Sequence, residues 1–488
     1  MAIGELTLTL LLPLPGALLI ACIPGDRNQL IRRIAILFSL FTLLFSWSLL
    51  GKFDPAAGLQ FAEVHDWNSR LGSSFALGVD GFSFPMILLA TLLCFVAVLA
   101  SAGITERCKG YYVLIMLLES AMLGVFMAQD WALFYLFWEM TLIPLFFLID
   151  RWGGQQRQTA SLNFVLYTMG GSVFMLLSLL VVFDAIPNHS FAMSNFLAGA
   201  KALPQPTQVL IFLGFLIGFG VKMPIFPIHG WLPLAHVQAP SPVSILLSGI
   251  LLKMGSYGLL RAAEMLPMAV VQLQSLLVVL AFVSLIYGGL LAWRQSDLKA
   301  MIAYSSISHM GVVLLGIATL NLAGLTGALT QMVAHGLVAG ALFLLIGLLY
   351  ERTHTREVTH YSSLVQTMPR FAFFTTLAFI GAVGMPGTAG FIAELHTLIG
   401  GFSRWGWIMV LLTVGVLISA AYAIRTVGFL FTGPVRSEMQ SVPDLQRHEM
   451  FAAGLLCVGI ILIGVMPAQV LNLFHHSASR FSAVFSGM

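Results

Sequence analysis

Four ionisable residues stand where a chain crossing hydrocarbon would ordinarily carry none. Glu139 lies in ALFYLFWEMTLIPLFFLI, and Lys222 ends a long apolar run just before MPIFPIHGWLP. Lys253 is flanked by Ile250, Leu251, Leu252 and Met254, and Glu394 follows GMPGTAGF. A lysine at the centre of a membrane helix costs roughly 2.5–3.5 kcal/mol on insertion scales, so such residues usually mark an ion or proton path. None of the four has an opposite charge three or four residues away, so each needs a partner on another helix, or water. The bland reading is a structural ion pair of Glu139 with Lys222, which is weak evidence for stability. The chemical reading is proton transfer. Burial pushes a lysine toward its neutral form and a nearby carboxylate draws it back, so parting Glu139 from Lys222 would let the lysine hand its proton inward to Lys253. Moving one charge through 100 mV costs about 2.3 kcal/mol, and one pKa unit is about 1.4 kcal/mol. Buried groups shift by up to about 3–5 units, so the device is energetically adequate.

Histidines fill the gap toward Glu394. His309 in IAYSSISHMG and His335 in QMVAHGLVAG both lie inside apolar runs, and titration near neutral pH suits a relay. Packing alone is the alternative for each. His229 and His236 fall on one helical face two turns apart; haem ligation by paired histidines is the other use of such spacing, and nothing here pairs them convincingly. Glu119, within YYVLIMLLESAMLGVF, reads equally well as a proton-loading site or a structural partner, and Lys299 is a further accessory candidate.

The elements that must position these groups are membrane helices. With 59% hydrophobic and 9% charged residues in 488, the chain lies far from soluble domains, which average about 25% charged. Runs of about 20 apolar residues span the bilayer core, and fourteen are expected, near residues 3–23, 30–50, 78–102, 110–128, 130–149, 162–183, 207–236, 242–260, 270–293, 300–320, 324–349, 371–402, 406–431 and 450–472. The start, MAIGELTL, has no basic n-region, so the first span is expected to be retained. Residues 51–77 and 184–206 read as the two long connections. No Walker loop, GxGxxG or HExxH occurs, and Cys22, Cys94, Cys108 and Cys457 are scattered, so no nucleotide, zinc or disulfide chemistry is indicated.

Two spans are interrupted. Pro224 has no N–H and frees the Gly220 carbonyl, and Pro386 does the same for Ala382. Irregular backbone at membrane depth is tolerated only inside protein or beside water. The breaks at 222–236 and 384–391 fall in the fourth helix of successive five-helix blocks, 110–262 and 263–431, with residues 1–109 (helices 1–3) before and 432–488 (helix 14) after. An odd repeat number inverts the second block, an architecture common in transporters; two unrelated proline kinks are the alternative. One set of alternate loops holds most lysines and arginines, among them Arg27, Arg32, Arg33, Arg107, Lys109 and Arg151. The other holds only Lys52, Arg70, Lys201, Arg261, Arg404 and Arg480. The positive-inside rule then puts both termini on the non-cytoplasmic side.

FWEMTLIP, VKMPIFPIHGWLP, LLKMG, DLKAMIAYSSISHMG, QMVAHGL and GMPGTAGFIAE occur in one order along the chain, which closely resembles the antiporter-like subunits of respiratory complex I. The resemblance implies an all-α polytopic fold of fourteen helices with two inverted five-helix repeats and two broken helices. It implies a proton-translocating, non-redox subunit of an NADH:quinone oxidoreductase in the bacterial inner membrane. Such a subunit binds no cofactor itself, while the complex uses NADH and quinone. Its partners would be other membrane subunits, especially two other antiporter-like ones, and the lipid bilayer; no nucleic acid is implied. Glu139 and Lys222 match the family's first-half pair, Lys253 its central lysine and Glu394 its second-half terminal residue. A glutamate there, and an ending soon after the fourteenth span, resemble the M (chain 4) branch. Two positions depart from the pattern: Leu234 in LPLAH stands where LPDAH is common, which puts the uptake route in doubt, and Ser362-Ser363 replaces a usual Gly-Gly. A subunit of a multisubunit cation/proton antiporter or membrane-bound hydrogenase shares the fold and is the alternative. A passive scaffold is the reading of another class.

Overall fold

The computed structural model describes residues 4–487. Among them, thirteen helices are long and apolar enough to cross a membrane. One of these, Ala389–Phe431, is two helices, Ala389–Trp405 and Val410–Phe431. They part at Gly406, whose φ of +58° is left-handed and suits glycine. Splitting it raises the thirteen to the fourteen crossings expected. Both interruptions are present: Gln205–Lys222 resumes as Trp231–Gln238, and Pro369–Val383 resumes as Ala389–Trp405. The chain is an all-α polytopic membrane protein.

Burial sorts the helices by role. The apolar windows of Ser241–Met265 and Leu322–Thr353 are wholly covered by other helices, and that of Leu298–Ala318 is 94% covered, against 28% for Asn28–Gly51. The three enclosed helices carry Lys253, His335 and His309, so these groups face protein rather than lipid. Two of them meet closely, because a Cβ on Gly336 would lie 3.0 Å from the Gly249 carbonyl oxygen. A third irregularity lies in Trp131–Trp152, which divides into Trp131–Met140 and Leu142–Trp152 at Thr141. Pro144 accounts for it, since the Met140 carbonyl loses its donor.

Two segments differ from expectation. The connection after the second span holds an antiparallel hairpin, Gln60–Asn68 with Ser73–Val79, turned at Gly72 (φ +60°). The last span ends at Val465 rather than running on to 472, because Met466 before Pro467 is driven out of the helical region. A separate helix, Ala468–Phe485, follows. It buries Phe474, Ala478, Phe481 and Phe485 on one face, and Ser477 Oγ accepts from the Gly81 N–H at 3.0 Å.

Asp130 joins the hairpin to the fifth span. Its Oδ1 accepts from the N–H groups of Ala132 and Leu133 at 2.9 and 3.0 Å and from Ser73 Oγ at 3.0 Å; Oδ2 accepts from Ser74 N–H at 3.1 Å. It is both a helix cap and a buried cross-link. Asp130→Ala is expected to cost about 2 kcal/mol, read as a lower thermal midpoint of the purified protein. Asp66→Ala, on the exposed part of the hairpin, should leave the midpoint unchanged.

Candidate functional site

The first break lies directly after Lys222. Residues 223–230 leave the helix, and the backbone groups around the break find partners both within it and on a neighbouring helix. Gly220 O, freed by Pro224, accepts from Ile225 N–H at 3.0 Å, and Val221 O accepts from the Trp231 indole at 2.8 Å. Ser284 Oγ, from the neighbouring helix Gln274–Arg294, accepts the Phe226 N–H at 3.0 Å. The break is therefore satisfied partly by its own groups and partly by Ser284, and it holds the end of the lysine helix in place.

Lys222 is 1% exposed. Its ammonium donates to Thr141 Oγ1 at 2.9 Å and sits 4.1 Å from the centre of the Trp138 ring. Among the described residues the ion pairs are Lys52–Glu5, Arg151–Asp150, Arg261 with Asp80 and Glu264, Arg352–Glu449 and Arg356–Asp297. The expected Glu139–Lys222 pair is not one of them. Glu139 Oε1 is buried without a hydrogen-bond partner.

Lys253 is fully buried. Its helix widens into a π turn over Leu247–Leu251. The Ser248 carbonyl in that turn accepts from Lys253 Nζ at 2.6 Å. The second partner is His335 Nδ1, also at 2.6 Å. A lysine amine donates there, so Nδ1 accepts and the neutral ring carries its proton on Nε2. That Nε2 has no partner. The His309 ring lies 5.3 Å from the His335 ring, centre to centre, and its Nε2 donates to the Ala382 carbonyl at 3.2 Å. Ala382 O is the carbonyl that Pro386 frees. The second break thus supplies an acceptor to the histidine pair.

Between the histidines and Glu394 lies a cavity of about 10 Å³, enough for one water. Its lining includes His309, His335, Gln331 and Glu394. Gln331 Oε1 is buried and unpartnered, so an unused acceptor and the unused His335 donor border one small space. Lys253, His335, His309 and Glu394 are brought together as one polar line.

Among the described residues, none of the other candidates is hydrogen-bonded to it. Glu119 is fully buried with neither oxygen hydrogen-bonded. His229 packs at the first break against the rings of Phe226 and Tyr287, 5.8 and 5.3 Å away. His236 stacks on Phe343 at 4.5 Å with both ring nitrogens unpartnered. Lys299 Nζ donates to the Ala239 carbonyl at 2.8 Å and borders a cavity of about 650 Å³. That cavity opens on the face opposite the hairpin, where Trp152, Gln156, Gln238 and Arg356 line it. Among the described residues no hydrogen bond joins Lys222 to Lys253. Sequence reasoning missed Gln331, Thr141, Trp138 and the Ser248 carbonyl. Only Gln331 left a usable signal, since it precedes His335 by four residues and must share its helical face.

Glu394 is set by glycine. Gly384 has φ +71°, and a Cβ there would lie 2.4 Å from Glu394 Oε2. Gly384→Ala is expected to cost at least about 1–2 kcal/mol from the left-handed backbone alone and to displace the carboxylate. Gly454→Ala, where a Cβ meets nothing within 4 Å, should be silent. Paired thermal midpoints compare them, and equal values would contradict this packing.

Known proteins are similar to this chain in sequence and fold. Residues 128–419 match the family described as NADH:quinone oxidoreductase/Mrp antiporter, transmembrane. The NADH-quinone oxidoreductase subunit M of Rhodobacter capsulatus is 38% identical over 494 aligned residues, 97% of this chain and 96% of that one. A chain in the structure of respiratory complex I from Thermus thermophilus with bound NADH superposes with a TM-score of 0.89 at 33% identity, covering 98% of this chain and 99% of that one. A chain of the Mrp complex from Dietzia sp. DQ12-45-1b matches at a TM-score of 0.83 and 22% identity, over 97% of this chain and 52% of that one, a likeness of fold alone. By its matched residues and its near-complete overlap with these relatives, the chain belongs to the NADH:quinone oxidoreductase/Mrp antiporter transmembrane family.

Proposed function

We propose that this chain is a proton-translocating membrane subunit of an NADH:quinone oxidoreductase. It performs no redox step. NADH and quinone react in neighbouring subunits, and two further antiporter-like subunits extend the membrane arm beside it. The chain lies in a bacterial inner membrane with both termini on the non-cytoplasmic side, as the lysine and arginine distribution supports. The blocks 110–262 and 263–431 are inverted repeats, each carrying one broken helix.

The observation that carries this reading is the enclosed polar line Lys253–His335–His309–Glu394, ending at a cavity with room for one water. A bare lysine in a protein interior demands partners, and here those partners are groups that both give and take protons. Lys222 and Glu139 load the line from the first block, and Glu394 discharges it. Parting or joining the Glu139 and Lys222 charges is the step by which neighbouring subunits drive the transfer.

Lys222→Ala or Glu139→Ala in the assembled complex is expected to abolish proton pumping by this subunit coupled to quinone reduction. Glu139→Gln isolates charge from shape and should behave like Glu139→Ala. Proton uptake and quinone reduction measured together in proteoliposomes test this, and pumping at the wild-type ratio in any of the three counts against the proposal.

A further inference from the structure

Two acceptors, Thr141 and Glu139, stand on either side of Trp138, the ring that Lys222 rests against. Its present partners are Thr141 and Trp138, while the Glu139 carboxylate, one residue from Trp138, is not paired with it. At about 100° per residue, Thr141 lies about 60° to one side of Trp138 and Glu139 about 100° to the other. The indole therefore stands between the two acceptors. The hydroxyl is committed as well: Thr141 Oγ1 donates to the Trp138 carbonyl at 2.7 Å, so its oxygen is left to accept from the lysine. The break of the helix at Thr141 places that hydroxyl against Lys222.

We propose that Lys222 has two seats. In one, Thr141 and the Trp138 ring hold the ammonium without a carboxylate, by a charge-assisted hydrogen bond and a cation–π contact. In the other it pairs with Glu139, whose buried Oε1 is free to receive it. The ammonium passes between them across the indole face, carrying its proton and breaking no covalent bond. Thr141 and Trp138 are positioning residues that keep the charge alive while the ion pair is open. This rests on the proton-translocating function proposed above.

The test is coupled proton pumping by the assembled complex in proteoliposomes. Thr141→Val keeps the shape and removes the acceptor, and pumping is expected to fall about tenfold, as for loss of one hydrogen bond to a charged group. Thr141→Ser should restore it, and Trp138→Phe should weaken it while leaving the complex assembled. In a density map of the Thr141→Val complex, Lys222 Nζ should lie at ion-pair distance from Glu139. Wild-type pumping by Thr141→Val and Trp138→Phe, or equal impairment of the Val and Ser variants, overturns the two-seat arrangement. Lys222→Ala run alongside separates the failures. If Lys222→Ala is inactive while Thr141→Val pumps normally, only the second seat is wrong; if Lys222→Ala pumps normally, the proposed function falls with it.

Discussion

Everything in this molecule is arranged around a buried lysine that has no carboxylate partner. Lys253 sits on one of the two helices that the protein encloses completely, and its Nζ reaches a backbone carbonyl and a histidine nitrogen. A stray charge of this kind is expensive unless hydrogen bonds replace water. The π turn over Leu247–Leu251 brings the Ser248 carbonyl to it, and the glycine contact between Gly249 and Gly336 brings His335 within reach. Outer helices such as Asn28–Gly51 serve a different end, keeping hydrocarbon away from that centre.

The two broken helices look alike in sequence and solve their backbone problem differently. In the first, the freed Gly220 carbonyl and its neighbour Val221 are taken up by Ile225 and Trp231, so neither carbonyl is left over and the break serves to fix Lys222. In the second, the freed Ala382 carbonyl is left for His309. One break therefore holds a charge at its edge, and the other becomes part of the polar line. Irregular backbone in a membrane must be satisfied somewhere, and where it is satisfied decides what each break contributes.

Much of this could be read before any coordinates. Stranded charges, proline breaks and apolar runs are strong local signals, so the crossings, both interruptions and the freeing of the Ala382 carbonyl were accessible from residue order, though not its partner His309. The partners were not. Trp138 and Thr141 look like ordinary helix residues, and nothing in residue order shows that they meet Lys222 from another helix. The hairpin was hidden because it is held from outside its own strands, by Asp130 and by the bridge from Leu77 to Ala128. The helix at Ala468–Phe485 was merged with the span before it, since hydropathy windows blur a break made by a single Met–Pro step.

The account stands on Lys253 as the meeting point of the two halves. The direct measurement is proton translocation per quinone reduced in proteoliposomes holding the complete complex with Lys253→Met, which keeps the length and volume of the side chain and removes its charge and donors. The account predicts an assembled complex in which translocation through this subunit is lost. An assembled Lys253→Met complex that moves protons at the wild-type ratio would contradict it.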